Sequence, residues 1–158
     1  MSTASTERRR PAPRREGPRF VDDYLGYLLG QANHALYKEF DAHVRAAGLS
    51  SIEWRVLATL HDGDPLTVSQ LAHEVLAKQP TVTKLIQRMS EQGWVALQAD
   101  PADQRCTLVT ATAAGKRLVR PLVDQARAHE AAMLRALAAP EKAALKKLLG
   151  KLARNALA

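Results

Sequence analysis

The stretch from Thr67 to Val95, TVSQLAHEVLAKQPTVTKLIQRMSEQGWV, leaves few folds open. Thr67 and Gln70 have the spacing of a capping box, which starts a helix. Val68, Leu71, Ala72 and Val75 follow at i, i+3, i+4 and i+7, so they share one helical face. The pattern breaks at Ala77-Lys78-Gln79. Pro80 then suits a first helical position, where its fixed φ helps and its missing N–H costs nothing. Val82, Leu85, Ile86 and Met89 repeat the spacing on a second helix, and Gly93 suits its stop. Two short helices joined by a tight turn are predicted.

The second helix leaves Gln79, Thr81, Thr83, Lys84, Gln87 and Arg88 off its apolar stripe. All can donate hydrogen bonds and none is acidic. A helix that reads a DNA major groove needs short polar and basic groups of this kind near its N-terminus. A plain helical hairpin with a solvated face fits the same pattern.

The chain of 158 residues has the size of one domain. It is rich in alanine, and only 4% of its residues are aromatic, which favours a mainly helical protein. The net charge of +7 is unevenly spread. Residues 1–19 hold six arginines and two glutamates, and residues 20–158 hold 17 basic and 14 acidic residues. The tail MSTASTERRRPAPRREGPR has no large apolar residue after Met1 and is predicted to be disordered. It reads either as a basic arm that adds phosphate contacts or as a solvated extension, even a misassigned start. It is not a convincing signal peptide, because Asp22 and Asp23 follow the arginines. No apolar run approaches a membrane span. The single cysteine excludes an intramolecular disulfide and fits a reducing cytoplasm.

Phe20 to Ala47 reads as one long helix, with Asp22 and Asp23 in its first turn and Arg45 in its last. Val21, Leu25, Leu28, Ala32 and Leu36 form one stripe. Tyr24, Tyr27, Leu29, Phe40 and Val44 make other sides apolar too, so a second chain is a natural cover. After Gly48, Ser50 and Glu53 form another capping-box pair for a helix ending near His61. Trp94–Gln98 and Cys106–Thr110 are β-rich runs joined by Asp100-Pro101-Ala102-Asp103, a hairpin with Gln104-Arg105 near its tip. A hairpin after a helix pair is a wing, and an arginine at its tip can reach a minor groove. Thr112 caps a long helix reaching about Ala138. Leu118, Leu122, Ala126, His129, Met133 and Leu137 form its seam, and Pro121 lies inside it, where a kink or a lost hydrogen bond is expected. Pro140 opens a last helix with Leu145, Leu148, Leu149 and Leu152 apolar and a lysine-rich outer face.

The segments LSSIEWRVLATL, TVSQLA, TVTKLIQRMSEQGWV and DPADQRCTLVTATAAG stand in this order. Over residues 20–155 the chain closely resembles the MarR family of bacterial winged-helix regulators. Asp100, Asp103 and Arg105, followed by Leu108-Val109-Thr110 and Gly115, carry the most specific part of the resemblance. Gln104 stands where many members have a basic residue, and Thr110 makes the strand end irregular. The fold implied is mainly α: a winged helix-turn-helix DNA-binding lobe at 49–111, and a helical dimerisation lobe from 20–48 and 112–157, behind the tail at 1–19. The resemblance implies a homodimer on a pseudo-palindromic double-stranded operator. Gln79, Thr81, Thr83, Lys84 and Arg88 match recognition-helix positions. Arg105 matches the wing-tip arginine, with Asp103 orienting it. Such proteins usually repress a neighbouring gene and release DNA when a small aromatic acid or its CoA thioester binds.

Tyr27, Gln31, His34, Trp54 and His129 combine aromatic walls with polar groups and are the candidate effector contacts. Their other reading is core packing for Tyr27 and Trp54, and interface hydrogen bonds for the two histidines. Cys106 follows Arg105, which would lower its pKa if it were a redox sensor. A plain strand residue is the other reading. His61, Asp62 and Asp64 sit in a Gly-Pro turn, and the histidines lack metal-ligand spacing, so no metal is expected. No phosphate loop, nucleophile elbow or zinc-protease motif is found, so neither an enzyme nor a cofactor is expected. A helical module that binds protein instead of DNA is the remaining alternative.

Overall fold

The computed structural model describes residues 17–103 and 105–156. Most of the basic tail and Gln104 lie outside them, so the expectations for both stand outside the structure. The chain falls into two compact units that divide within one helix, the first ending at His34 and the second beginning at Ala35.

The first unit holds α1 (Phe20–Asp23) and the start of α2 (Leu25–Ala46). The single helix expected from Phe20 is therefore broken at Tyr24, whose backbone is extended (φ −81°, ψ 113°). Aromatic rings pack at the break. The Phe20 and Tyr24 rings stack with centroids 4.8 Å apart. Tyr24 also folds over Gly26, where a Cβ would lie 3.0 Å from its ring. A stacked aromatic pair contributes about 0.5–1.5 kcal/mol beyond its burial.

The second unit is built around α3 (Ser51–His61). Gly48 takes the positive φ of 77° that ends α2, and Leu49 N–H reaches back to the Val44 carbonyl at 3.2 Å. That 6→1 bond is a Schellman stop, which favours glycine. The expected box at Ser50 forms: Glu53 N–H donates to Ser50 Oγ, and Ser50 N–H donates to Glu53 Oε2 at 2.7 Å. The box at Thr67 forms likewise with Gln70 at the start of α4 (Val68–Glu74). The second helix of the pair, α5 (Gln79–Glu91), buries Val82, Leu85, Ile86 and Met89. Those four side chains contribute roughly 6–12 kcal/mol by burial, an upper bound. Gly93 ends α5 at φ 74°.

The wing is β2 (Val95–Ala99) and β3 (Thr107–Ala111), antiparallel, with Leu97 opposite Val109. Both strands start one residue later than expected. Trp94 is still occupied with the helix stop, its N–H bonding to the Met89 carbonyl, and Cys106 N–H closes the turn onto Asp103 O. A third strand, β1 (Leu66–Thr67), pairs on the far side of β3 and was not foreseen. Two residues ahead of a helix cap leave no periodic signal.

Thr112 caps α6 (Ala113–Met133) as expected, accepting from Gly115 N–H at 3.0 Å. α6 continues through Pro121, and a 3₁₀ turn at Leu134–Ala136 leads to α7 (Ala139–Ala156). The core joins α3 to Leu71, Val75, Ile86, Met89, Val95 and Val109, and extends to Val119 and Leu122. Leu122 therefore belongs to this core and not to an outward seam. Leu145, Leu148, Leu149 and Leu152 of α7 stay exposed.

Candidate nucleic-acid interface

α5 begins one residue earlier than its proline suggested. Lys78 is the N-cap, Gln79 the first helical residue and Pro80 the second. No side chain caps this end and no acidic residue stands in its first turn. The partial positive charge of the helix N-terminus is thus left uncompensated, which suits an anionic partner. Gln79, Thr81 and Lys84 are exposed along it. Thr83 is half-buried, and its hydroxyl donates to the Gln79 carbonyl at 2.9 Å.

One groove of about 250 Å³ joins this helix to the wing. Gln79 and Thr83 line it from α5, Arg105 and Thr107 from the wing, and Thr67 and Ser69 from the start of α4. Residues some 25 positions apart in sequence therefore meet on a single surface.

Asp103 does something other than orient the Arg105 side chain. Its Oδ1 accepts the backbone N–H of Arg105 at 3.0 Å, so it shapes the turn that presents the arginine. The lowered pKa that the redox reading of Cys106 needs is not found. The Asp103 carboxylate, whose Oδ2 lies 3.7 Å from Cys106 Sγ, raises the thiol above its ordinary range. A nearby anion disfavours the thiolate, so this is not the electropositive setting of a reactive cysteine.

Arg88 has a partner that sequence reasoning missed. Its guanidinium lies 2.8 Å from Glu53 Oε1, with the Glu53 side chain only 8% exposed. Burial alone would raise the Glu53 pKa. The bonds from Ser50 and the pairing with Arg88 outweigh it and hold the carboxyl below its usual range. The two residues are 35 positions apart, and the capping box accounts for Glu53 locally, so no pattern pointed to the pair.

Of the candidate effector contacts, Trp54 and His129 come together. The Trp54 ring meets Phe40 edge-on, centroids 5.1 Å apart. His129 Nε2 bonds to the Leu36 carbonyl at 3.1 Å. Both line a cavity of about 240 Å³. A neighbouring cavity of about 340 Å³ shares Trp54, Ala126 and Glu130 and adds His61, Asp62 and Arg127. His61 Nδ1 is buried there without a partner among the described residues. By sequence His61 belongs to a turn, and nothing in the sequence singles out Arg127. Tyr27, Gln31 and His34 lie exposed on the part of α2 in the first unit.

A short helix pair, a three-stranded sheet with a hairpin tip, and a polar helix face beside that tip define a winged helix-turn-helix protein. The family model for MarR matches residues 47–105. A MarR family transcriptional regulator from Silicibacter pomeroyi DSS-3 superposes with a TM-score of 0.73 at 39% identity, covering 85% of this chain and 99% of that one. The HTH-type transcriptional repressor NicR of Pseudomonas putida is 28% identical over 141 residues, 89% of either chain. BpsR of Bordetella bronchiseptica, whose DNA binding is regulated by 6-hydroxynicotinic acid, is 28% identical with a TM-score of 0.71, over 86% of this chain and 97% of its own. The chain belongs to the MarR family and is a transcriptional regulator of that type. Among its described residues no helix is long and apolar enough to cross a membrane.

Proposed function

We propose that this protein is a homodimeric repressor that binds a pseudo-palindromic operator and releases it when a small aromatic acid or its CoA thioester binds. The observation that carries the DNA reading is the shared groove. Gln79, Thr83 and Arg105 line one surface, beside the exposed Thr81 and Lys84. In this reading the N-terminal half of α5 enters the major groove, Arg105 follows the adjacent minor groove, and Asp103 holds the wing turn. The lobe at 49–111 docks on DNA. The exposed leucines of α7 support a role for 20–48 and 112–157 in pairing two chains, since a row of exposed apolar residues on one helix calls for a cover.

The effector reading rests on the cavities at Trp54. Aromatic walls from Phe40 and Trp54 suit a flat ring, and His129, His61 and Arg127 suit a carboxylate. The regulation of BpsR by 6-hydroxynicotinic acid supports the same ligand class. By linkage, the ligand releases DNA only if it binds the DNA-incompetent conformation more tightly.

The test is fluorescence anisotropy with DNA from upstream of the protein's own gene, at several salt concentrations, with and without aromatic acids and their CoA thioesters. Each lost phosphate contact lowers the salt slope by about 0.9. Lys84→Ala and Arg105→Ala are expected to weaken binding while sedimentation still reports a dimer. Wild-type-like binding by both variants would refute the docking. Salt-independent behaviour throughout would favour a protein-binding module.

A further inference from the structure

The matched recognition-helix positions include Arg88, yet the structure gives its guanidinium a different partner. Arg88 lies in the last turn of α5, whereas base contacts in this kind of docking come from the N-terminal part of the helix. Its charge is held by Glu53 at 2.8 Å, and the Glu53 side chain is 8% exposed. Glu53 is fixed in turn by Ser50, whose N–H and Oγ both donate to Oε2 at 2.7 Å. Three residues thus tie the C-terminal end of α5 to the first turn of α3. The Arg88 side chain itself is 58% exposed, so the pair is buried on the Glu53 side only, and removing Arg88 leaves that buried carboxylate without its charged partner. On α3, Trp54 follows Glu53 directly and lines the effector cavities.

We propose that Arg88 is a positioning residue for DNA recognition: through Glu53 it sets the angle of α5 against α3, and it does not contact phosphate. This rests on the DNA-binding reading above. A small rotation of α5 moves Gln79, Thr81 and Lys84 off their base edges without removing any charge they carry. Loss of the tie therefore lowers discrimination between sequences and leaves non-specific, salt-dependent binding nearly intact.

The experiment uses full-length dimer and two duplexes, one that the wild type selects from a random pool and one of scrambled sequence. Arg88→Met keeps the aliphatic stem. Glu53→Gln keeps the bonds to Ser50 while weakening the grip on Arg88. Arg88→Met is expected to lower the selected-to-scrambled affinity ratio by about tenfold, the scale of one misread base pair. Glu53→Gln should lower it by less. The double variant should be no worse than Arg88→Met, because both break one interaction. The salt slope on scrambled DNA should stay at the wild-type value, and Arg88→Lys should recover part of the ratio. If Arg88→Met does not fold, Glu53→Gln and Arg88→Lys carry the same comparison. A salt slope lower by about 0.9 in Arg88→Met, with Glu53→Gln binding like wild type, would overturn the proposal and make Arg88 a phosphate contact. Unchanged ratios in all variants would overturn it as well. A wild type that selects no duplex would instead sink the DNA-binding reading on which the proposal stands.

Discussion

Replacing Gly115 by alanine tests the packing of the wing against α6, because two simple arguments predict opposite signs. Gly115 is the third residue of α6. Helix propensity alone says that alanine stabilises such a position by about 0.5–1 kcal/mol. The surroundings say otherwise. A Cβ on Gly115 would stand 2.1 Å from the Trp94 carbonyl oxygen, 3.0 Å from its carbon and 3.3 Å from Leu57 Cδ2. That is more than roughly 1 Å inside ordinary van der Waals contact, and two of the three atoms are backbone. The helix must move away from the wing. Thr112 N–H bonds to the same Trp94 carbonyl at 3.0 Å, and Thr112 Oγ1 reaches Gly93 O at 2.6 Å. Overpacking costs about 1–3 kcal/mol, and weakening two such bonds adds about 1 kcal/mol each. The net expectation is a loss of about 3 kcal/mol, a large share of a typical domain's stability. Thermal melting followed by circular dichroism, on dimer at fixed concentration, should show a fall of roughly 6–12 °C. A melting point equal to or above wild type would refute the reasoning and return the position to helix propensity.

Leu76 links α4 to α5 at φ 52°, a conformation that non-glycine residues adopt at a cost of roughly 1–2 kcal/mol. Leu76→Val should lower the urea midpoint although the side chain is exposed, and Leu76→Gly should not; equal midpoints would contradict the strain. Glu53, with its lowered pKa, contributes stability that is complete above the ordinary carboxylate pKa and lost as pH falls through its folded value. Glu53→Gln should flatten the acid limb of the stability curve, and an unchanged limb would assign acid unfolding to other carboxylates. Asp103 raises the Cys106 pKa, so Asp103→Asn should speed reaction of the thiol with a disulfide reagent near neutral pH. A slower or equal rate would mean that the charge of Asp103 is not what protects the sulfur.

Much of this protein was legible because its signals are local. A capping box joins residues three apart, a helical face repeats within seven, and a glycine stop needs only its own φ. Ser50, Thr67, Gly48 and Gly93 behave as their neighbours dictate, and the face of Val82, Leu85, Ile86 and Met89 is buried as its spacing requires. The polar face of α5 could be read for the same reason. The break at Tyr24 escaped because a single extended residue leaves the apolar spacing on either side unchanged. β1 escaped because two residues carry no period, and its partner β3 lies some 40 residues away. Leu122 reads as an outward seam along α6 alone, and only the packing of α3 against it makes it core. Arg88 shows the limit most plainly. Local pattern fully explains Glu53 as a capping residue and Arg88 as a polar-face residue. Their pairing at 2.8 Å is decided by where α3 and α5 cross. Sequence alone determines what each helix is and which side it hides, because those depend on neighbours a few residues apart. Which charges meet, which glycine faces a carbonyl and which cavity a tryptophan lines depend on distances that only the folded chain sets.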